Sequence, residues 1–136
     1  MKEPDKIVGR IAHDIIGAAI EVHRTLGPGF LESVYEEALC IELQLWRLSF
    51  ARQLSIGVDY KGHTVGEGRL DILVENGVIV ELKAVDELAP IHTAQVISYL
   101  KATGYPLGLL MNFNVPILKN GIRRIILSQL SWRLGG

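Results

Sequence analysis

The fold is decided by one stretch of the chain, Arg69-Leu70-Asp71-Ile72-Leu73-Val74-Glu75-Asn76-Gly77-Val78-Ile79-Val80-Glu81-Leu82-Lys83. Two short apolar runs, 70–74 and 78–82, flank the turn residues Glu75-Asn76-Gly77, and this arrangement predicts a β-hairpin. Two registers are open. A two-residue Asn76-Gly77 turn would mix polar and apolar residues on both faces of the hairpin, whereas a three-residue loop shifts the pairing by one residue.

The register follows from the need to bury one face, because a slip of one residue moves every side chain to the other face. In a three-residue loop with Gly77 left-handed, one side of the hairpin is wholly apolar, with Leu70, Ile72 and Val74 facing Leu82, Val80 and Val78. The same loop places Asp71 directly opposite Glu81, and Leu73 opposite Ile79. We therefore predict the three-residue loop.

This register brings two acids together. Opposed residues on antiparallel strands have Cβ atoms about 4.5–5.5 Å apart, and carboxylates at that separation repel each other unless a proton or a cation lies between them. Lys83 follows Glu81 by two residues and points to the same face. One lysine against two acids leaves room for a divalent metal such as Mg²⁺, which prefers oxygen ligands. The alternative is a solvated strand face with a surface ion pair, although the strands are otherwise apolar.

The remaining sequence predicts three helices and three further strands. Glycine, proline and asparagine breaks at 26–29, 61–62 and 119–121 separate several of these elements. The helices run from about Ile7 to Arg24, from Phe30 or Leu31 to about Trp46, and from Pro90 to Gly104, and the strands are Gln53 to Tyr60, Leu107 to Phe113 and Ile122 to Leu127. The order α, α, β, β, β, α, β, β predicts an α/β (α+β) domain with a single mixed sheet flanked by helices.

The helix after the hairpin carries a polar stripe. His92, Gln95 and Tyr99 are spaced i, i+3, i+7 and share one face. The apolar residues Val96, Ile97 and Leu100 lie toward another face and are predicted to pack on the sheet. Because this helix directly follows the strand that contains Glu81, its polar stripe is expected at the edge of the acidic site.

The second helix begins with an acid after a glycine-rich break. Glu32 and Tyr35 are three residues apart and share a face. Two interpretations of Glu32 stay open. In the first, its charge stabilises the helix N-terminus through the macrodipole. In the second, it is a third carboxylate aimed at the metal site, with Gly29 needed for close backbone approach.

Composition bounds the class of protein. The 136 residues, of which 49% are hydrophobic and 21% charged, predict one globular domain over 1–136 with a core at about 7–127. The single cysteine, Cys40, is predicted to be buried in a reducing compartment. A charged N-terminus, Met1 to Lys6, and the lack of any apolar run near 18 residues lead us to expect a cytoplasmic protein without a membrane span. The net charge of −1 argues against a long non-specific nucleic-acid footprint on one monomer.

The sequence resembles a known family at these residues. Gly29-Phe30-Leu31-Glu32-Ser33-Val34-Tyr35 is similar to the signature of the GxxExxY protein family, which is grouped with the PD-(D/E)XK nuclease-like superfamily. The similarity runs from roughly Ile7 to Leu127. It includes Tyr60-Lys61-Gly62, Asp71, Glu81-Leu82-Lys83, His92, Gln95, Tyr99-Leu100-Lys101 and Asn112-Phe113. The D, ExK and QxxxY motifs in that order also resemble RecB-like exonuclease domains.

The resemblance implies a restriction-endonuclease-like PD-(D/E)XK core and a set of roles. It implies that Asp71, Glu81, the Leu82 backbone carbonyl and Glu32 hold Mg²⁺ or Mn²⁺, Glu32 directly or through a water. Lys83 would orient or activate the attacking water. Gln95 and Tyr99 would position the metal site and the phosphate and, with Asp71, Glu81, Lys83 and Glu32, complete the catalytic set. His92 and Tyr35 are further candidates for substrate contacts.

We therefore expect a Mg²⁺- or Mn²⁺-dependent phosphodiesterase, a nuclease, whose partner is nucleic acid, DNA rather than RNA, and which acts as a homodimer. Two alternatives are a catalytically inactive module that binds nucleic acid or protein on the same fold, and an oligomeric assembly subunit. Metal-dependent turnover separates the enzyme from the binding module. A mass that depends on concentration, without nucleic-acid affinity, would favour the assembly subunit.

Overall fold

A computed structural model describes residues 6–127 of the chain. The helices are α1 (Lys6–Leu26), α2 (Glu32–Leu45) and α3 (Pro90–Thr103), and the strands are β1 (Phe50–Tyr60), β2 (His63–Val74), β3 (Val78–Lys83), β4 (Leu107–Asn112) and β5 (Ile122–Ile125). The predicted order of elements is confirmed, and a short 3-10 helix, Leu118–Gly121, is added before β5. Most of the charged N-terminal segment used in the prediction, residues 1–5, lies outside the described residues.

The five strands form one mixed sheet between two layers of helices. Their order is β1-β2-β3-β4-β5, and only the β3–β4 pair is parallel. The crossover between these two parallel strands is α3. Helices α1 and α2 cover one face of the sheet, whereas α3 covers the other. The predicted fold class, a single mixed sheet flanked by helices, is therefore confirmed.

Sequence signals explain where the helices begin and end. The buried positions of α1, among them Ile15, Ala18 and Val22, recur every three or four residues. Helix α3 begins at Pro90 and ends before Gly104, whose φ of 81° allows its N–H to donate to the Leu100 carbonyl. Across residues 6–127, no helix is long and apolar enough to cross a membrane.

The β2–β3 hairpin has the predicted register but a different turn. The paired residues are Ile72 with Val80, Leu73 with Ile79, and Val74 with Val78. The prediction of a left-handed Gly77 is wrong, because Glu75 and Asn76 have the positive φ angles, 51° and 52°. A contact distant in sequence holds this turn: Glu75 accepts hydrogen bonds from the backbone N–H and the hydroxyl of Ser49.

The predicted apolar side of the hairpin is wrong at Leu70. This residue packs with the cluster under α3, whereas Ile72, two positions later, packs under α1 and α2. Regular alternation would place both on one face. The neighbouring strand β1 changes face at the same level. Arg52, which pairs with Ile72, contacts α2, whereas Leu54, which pairs with Leu70, packs on the α3 side. The pleat therefore reverses in both strands at the level of Asp71.

The strand ends also differ from prediction. Strand β1 begins three residues before the predicted Gln53, and β2 begins at His63 instead of Leu70. The Lys61-Gly62 turn between them is confirmed, with φ angles of 49° and 84°. Strands β4 and β5 end earlier than predicted, at Asn112 and Ile125. Cys40 is buried as predicted.

Candidate functional site

Two carboxylates replace backbone hydrogen bonds at the open end of the β2–β3 hairpin. The N–H of Asp71 donates to Oε2 of Glu81 at 2.8 Å. The N–H of Leu82 donates to Oδ2 of Asp71, also at 2.8 Å. Each acid is therefore fixed to the backbone of the opposite strand by one carboxylate oxygen. The predicted juxtaposition of Asp71 and Glu81 is present.

Burial shapes the protonation of this pair. Glu81 is only 3% exposed, and burial, followed by the charge of Asp71, raises its pKa to about 8. Burial also raises the pKa of Asp71, although the hydrogen bond from the Leu82 N–H opposes that shift. Both acids are thus harder to ionise than a solvated carboxyl group. A positive charge nearby would stabilise the ionised form of both acids.

Lys83 supplies one such charge. It ends β3 and pairs with Asn112 of β4. The positive charge of its ammonium group opposes the raised pKa values of Asp71, Glu81 and Glu32 without reversing them. All three acids therefore lie within reach of that charge. The backbone around Lys83 is anchored, because its carbonyl accepts the N–H of Phe113 at 2.9 Å.

The buried Asn112 side chain fixes the chain that follows Lys83. Its Oδ1 accepts the N–H of Val85 at 3.0 Å, and its Nδ2 donates to the Val85 carbonyl at 2.9 Å. Asn112 is 2% exposed, so these bonds are shielded from water. Asn112, one of the residues that carry the family resemblance, therefore fixes the backbone next to the acidic pair.

Glu32 lies beside the pair as the first residue of α2 and is half-buried. Burial raises its pKa, and the charge of Asp71 raises it further, so the two groups feel each other. Within residues 6–127, no three His, Cys, Asp or Glu side chains stand close enough to hold a metal ion jointly. The close approach predicted for Gly29 is wrong: a Cβ there would meet open space, and its φ of 108° is what requires glycine.

Helix α3 places Tyr99 close to Glu81 and Asp71, with Gln95 beside Tyr99. Burial raises the pKa of Tyr99, and the charges of Glu81 and Asp71 raise it further, whereas a hydrogen bond from Gln95 lowers it. Gly68 of β2 makes room for the ring, because a Cβ at that position would lie 2.9 Å from Cε1 of Tyr99. The predicted packing of Val96 and Leu100 on the sheet is confirmed.

The two predicted substrate contacts are engaged within the protein. Tyr35 is fully buried, its hydroxyl donates to the Gly27 carbonyl at 2.6 Å, and its ring stacks on Phe113 at 4.7 Å. It therefore secures the glycine-rich loop and has no surface for a substrate. His92 accepts the N–H of Ala89 on Nδ1 at the start of α3. Its neutral ring consequently carries the proton on Nε2.

A polar network behind Asp71 was not predicted from the sequence. Glu36 is 8% exposed and accepts hydrogen bonds from Nε2 of Gln53 at 2.9 Å and from Nη2 of Arg52 at 3.0 Å. One signal was present, because Glu36 lies one helical turn after Glu32 and therefore on the same face of α2. No local pattern in the sequence marks Gln53.

The donor set fits a hard divalent cation. Asp71 and Glu81 offer carboxylate oxygens in fixed positions, and their raised pKa values express an electrostatic cost that a bound cation would remove. Glu32 adds a third acid within the same field. Mg²⁺ commonly takes one or two carboxylates and completes its shell with water and substrate phosphate. Two fixed carboxylates with a third acid nearby match that habit.

Comparison with known proteins identifies the family. The profile of the PD-(D/E)XK nuclease superfamily matches residues 9–125, which is most of the chain. Searches of the curated proteins and of the solved structures gave no match. The matched segment contains the whole sheet, all the acids described above, and the α3 stripe. The chain therefore belongs to the PD-(D/E)XK nuclease superfamily.

Proposed function

We propose that this protein is a nuclease that hydrolyses phosphodiester bonds with Mg²⁺ or Mn²⁺, and that it is a GxxExxY-type member of its superfamily. One observation carries the proposal: the buried acid Glu81 and the half-buried acid Asp71 are each hydrogen-bonded to the backbone of the opposite strand, close to Lys83. A structural ion pair with Lys83 would need only one of these acids. Two acids beside a lysine suit a site that holds a cation and a phosphate.

Asp71 and Glu81 would hold the cation together with the Leu82 carbonyl, and Glu32 would reach it through a water. When bound, such an ion polarises the phosphodiester and lowers the pKa of a coordinated water. The protein's own contribution is to keep its acids in place before the ion arrives. The hydrogen bonds from the Asp71 and Leu82 N–H groups do this, because each one fixes a single oxygen of its carboxylate to the opposite strand.

Lys83 would act on the substrate. Its ammonium group carries positive charge to the place where the phosphate accumulates negative charge during displacement, or orients the attacking water. Gln95 and Tyr99 line the α3 side, and there they position the acids and the phosphate. His92, at the N-terminus of α3, offers an N–H to a phosphate oxygen, whereas buried Tyr35 is left out of the substrate contacts.

We further propose DNA as the preferred substrate, a cytoplasmic location, and a homodimer. The apolar surface of α2 supports a dimer, because several large side chains stay exposed there. These are Val34, Ile41, Leu45 and the adjacent Trp46. Sedimentation analysis over a range of protein concentrations tests this arrangement, and a constant monomer mass would contradict it.

The experiment for the nuclease proposal is a Mg²⁺ and Mn²⁺ titration of the purified protein, with cleavage of mixed DNA and RNA substrates followed in parallel. The variant is Asp71→Ala, and Asp59→Ala is the matched control, since it removes an exposed aspartate of the same sheet. We expect the parent and the control to bind metal and cleave. Asp71→Ala should lose cleavage by about a thousandfold or more, because several kcal/mol of transition-state stabilisation disappear.

The outcomes separate the alternatives. Cleavage by Asp71→Ala at the parental rate would overturn this mechanism. Nucleic-acid binding without metal-dependent turnover would indicate an inactive binding module. A mass that rises with concentration, together with no affinity for nucleic acid, would indicate an assembly subunit.

A further inference from the structure

We propose that Gln53 is the positioning residue for Asp71, and that it sets the aspartate by bridging that carboxylate to Glu36 of α2. This inference rests on the proposed function, because it assigns Gln53 to the same metal site. It concerns a residue that contacts neither the cation nor the substrate. Three features of the molecule support it: the backbone of Gln53, its side chain, and the groups that hold Glu36.

The backbone of Gln53 is strained at the level of the site. Its φ is 50°, in the left-handed region, although it lies inside β1. A residue with a Cβ is strained in this conformation, which therefore persists only where the surrounding structure imposes it. Gln53 falls between the pairs Arg52–Ile72 and Leu54–Leu70, and Asp71 lies in the same gap of β2. The pleat reversal therefore aims the Gln53 side chain and Asp71 at one region.

The side-chain amide then joins two acids. A glutamine amide has two N–H donors. One donates to Oε1 of Glu36 at 2.9 Å, and a hydrogen bond from Gln53 also lowers the pKa of Asp71. The orientation of the amide is fixed, because a carboxylate can only accept.

Glu36 is itself held firmly. Its Oε2 accepts from Nε and Nη2 of Arg52 at 3.3 and 3.0 Å, and the side chain is almost fully buried. Arg52 also bonds Glu37 one residue further along α2. A continuous chain of contacts thus runs from Arg52 through Glu36 and Gln53 to Asp71. It ties α2 to the acid that we assign to the metal.

The test compares Gln53→Ala with Gln53→Gly. Both remove the amide, but glycine accepts a positive φ without strain, so Gln53→Gly keeps the backbone conformation. Gln44→Ala, at an exposed glutamine of α2, is the matched control. Calorimetric titration with Mn²⁺ measures metal affinity without turnover. We expect both Gln53 variants to bind Mn²⁺ about tenfold more weakly, the scale typical for residues that orient a metal ligand, and Gln44→Ala to bind as the parent does.

A second measurement needs no metal. The Leu82 amide is protected by Oδ2 of Asp71, so its hydrogen exchange in EDTA reports how well Asp71 is held. We expect exchange at Leu82 to accelerate several-fold in both Gln53 variants, while exchange at Leu109, in the core of β4, stays unchanged. A role confined to attaching α2 to the sheet would leave Leu82 no more affected than the rest of the sheet.

The outcomes are distinguishable. Parental Mn²⁺ affinity and Leu82 exchange in both variants would overturn the Gln53 proposal and leave the nuclease proposal standing. A defect in Gln53→Ala that Gln53→Gly lacks would overturn the bridging role, because the backbone alone would then matter. If the parent binds no Mn²⁺, the proposed function fails, and Leu82 exchange alone decides whether Gln53 positions Asp71.

Discussion

The two halves of the β2–β3 hairpin are built on different principles. The half near the turn, residues 72–80, is regular: its side chains alternate between the two cores, and its strands pair through the backbone. The open half contains Asp71 and Glu81, whose carboxylates accept the N–H groups of the opposite strand. The first half stabilises the fold by burying apolar side chains, whereas the second holds two carboxyl groups in fixed positions away from bulk water.

The difference shows how a sheet holds acids in fixed positions. A surface carboxylate rotates in water, but a carboxylate that takes the place of a ladder hydrogen bond is held by the sheet itself. The cost is electrostatic, because burial raises the pKa values of both acids and the charge of Asp71 raises the pKa of Glu81 further. Four substitutions test whether stability and chemistry are divided between the halves in this way.

The largest effect on stability is expected from Ile72→Ala in the regular half. Ile72 is fully buried, and truncation of such a residue costs about 2–5 kcal/mol of unfolding free energy. Urea denaturation in EDTA measures this loss. The Mn²⁺ affinity of the folded variant should stay close to that of the parent, because the Ile72 side chain lies in the apolar core under α1 and α2 and bonds neither carboxylate. A large loss of affinity at parental stability would break the comparison.

The next effect is a pH dependence that originates in the open half. The folded pKa of Glu81, about 8, lies above its ordinary value of 4.5, so folding takes up a proton between these values. In EDTA, stability should therefore fall as pH rises through this window. Glu81→Gln keeps an acceptor for the Asp71 N–H but cannot ionise, so it should flatten the decline in melting temperature. Glu67→Gln, at an exposed acid of β2, should not.

A smaller effect is expected where α3 meets the site. In Gly68→Ala, the new Cβ would lie 2.9 Å from Cε1 of Tyr99 and 3.3 Å from Cγ1 of Ile56. Overpacking of this kind costs about 1–3 kcal/mol, and displacement of Tyr99 should reduce cleavage several-fold. Gly66→Ala is the control, because its Cβ would meet nothing within 4 Å. Equal cleavage rates for the two variants would mean that Tyr99 tolerates the displacement.

The smallest effect belongs to the turn. Ser49 lowers the pKa of Glu75 through hydrogen bonds from its N–H and its hydroxyl. That stabilisation is present above the ordinary value of 4.5 and is lost as pH falls through the lowered pKa, the opposite sign to Glu81. Because Glu75 is exposed, Glu75→Gln should cost less than about 1 kcal/mol. Parental melting curves at neutral and acidic pH would show that the turn does not depend on this contact.

Much of the fold was predictable because it rests on neighbours in sequence. Pro90 and Gly104 delimit α3 through local backbone preferences. The three-residue loop follows from the alternation of apolar residues in 70–82, and it correctly places Asp71 beside Glu81. The sequence predicts Lys83 beside these acids from its two-residue offset from Glu81, and it predicts Gln95 and Tyr99 there from their shared face on the helix that follows.

Other parts of the site were not predictable from local patterns. Burial of Tyr35 against Phe113 removes it from the surface, although the family resemblance makes it a candidate for a substrate contact. Gly77 is an ordinary candidate for a left-handed residue, but Glu75 takes that conformation while bonded to Ser49. In each case, a partner far along the chain decided the outcome.

The sequence by itself determined the order of elements, the hairpin register and the juxtaposition of Asp71 and Glu81, because alternation and turn chemistry act over a few residues. Only the tertiary structure decided the pleat reversal at Gln53, the approach of Glu36 to it from 17 residues away, and the burial that raises the pKa of Glu81. The physical reason is that strain and desolvation depend on which distant segments pack together. No short stretch of the sequence specifies how α2 packs against β1 and β2.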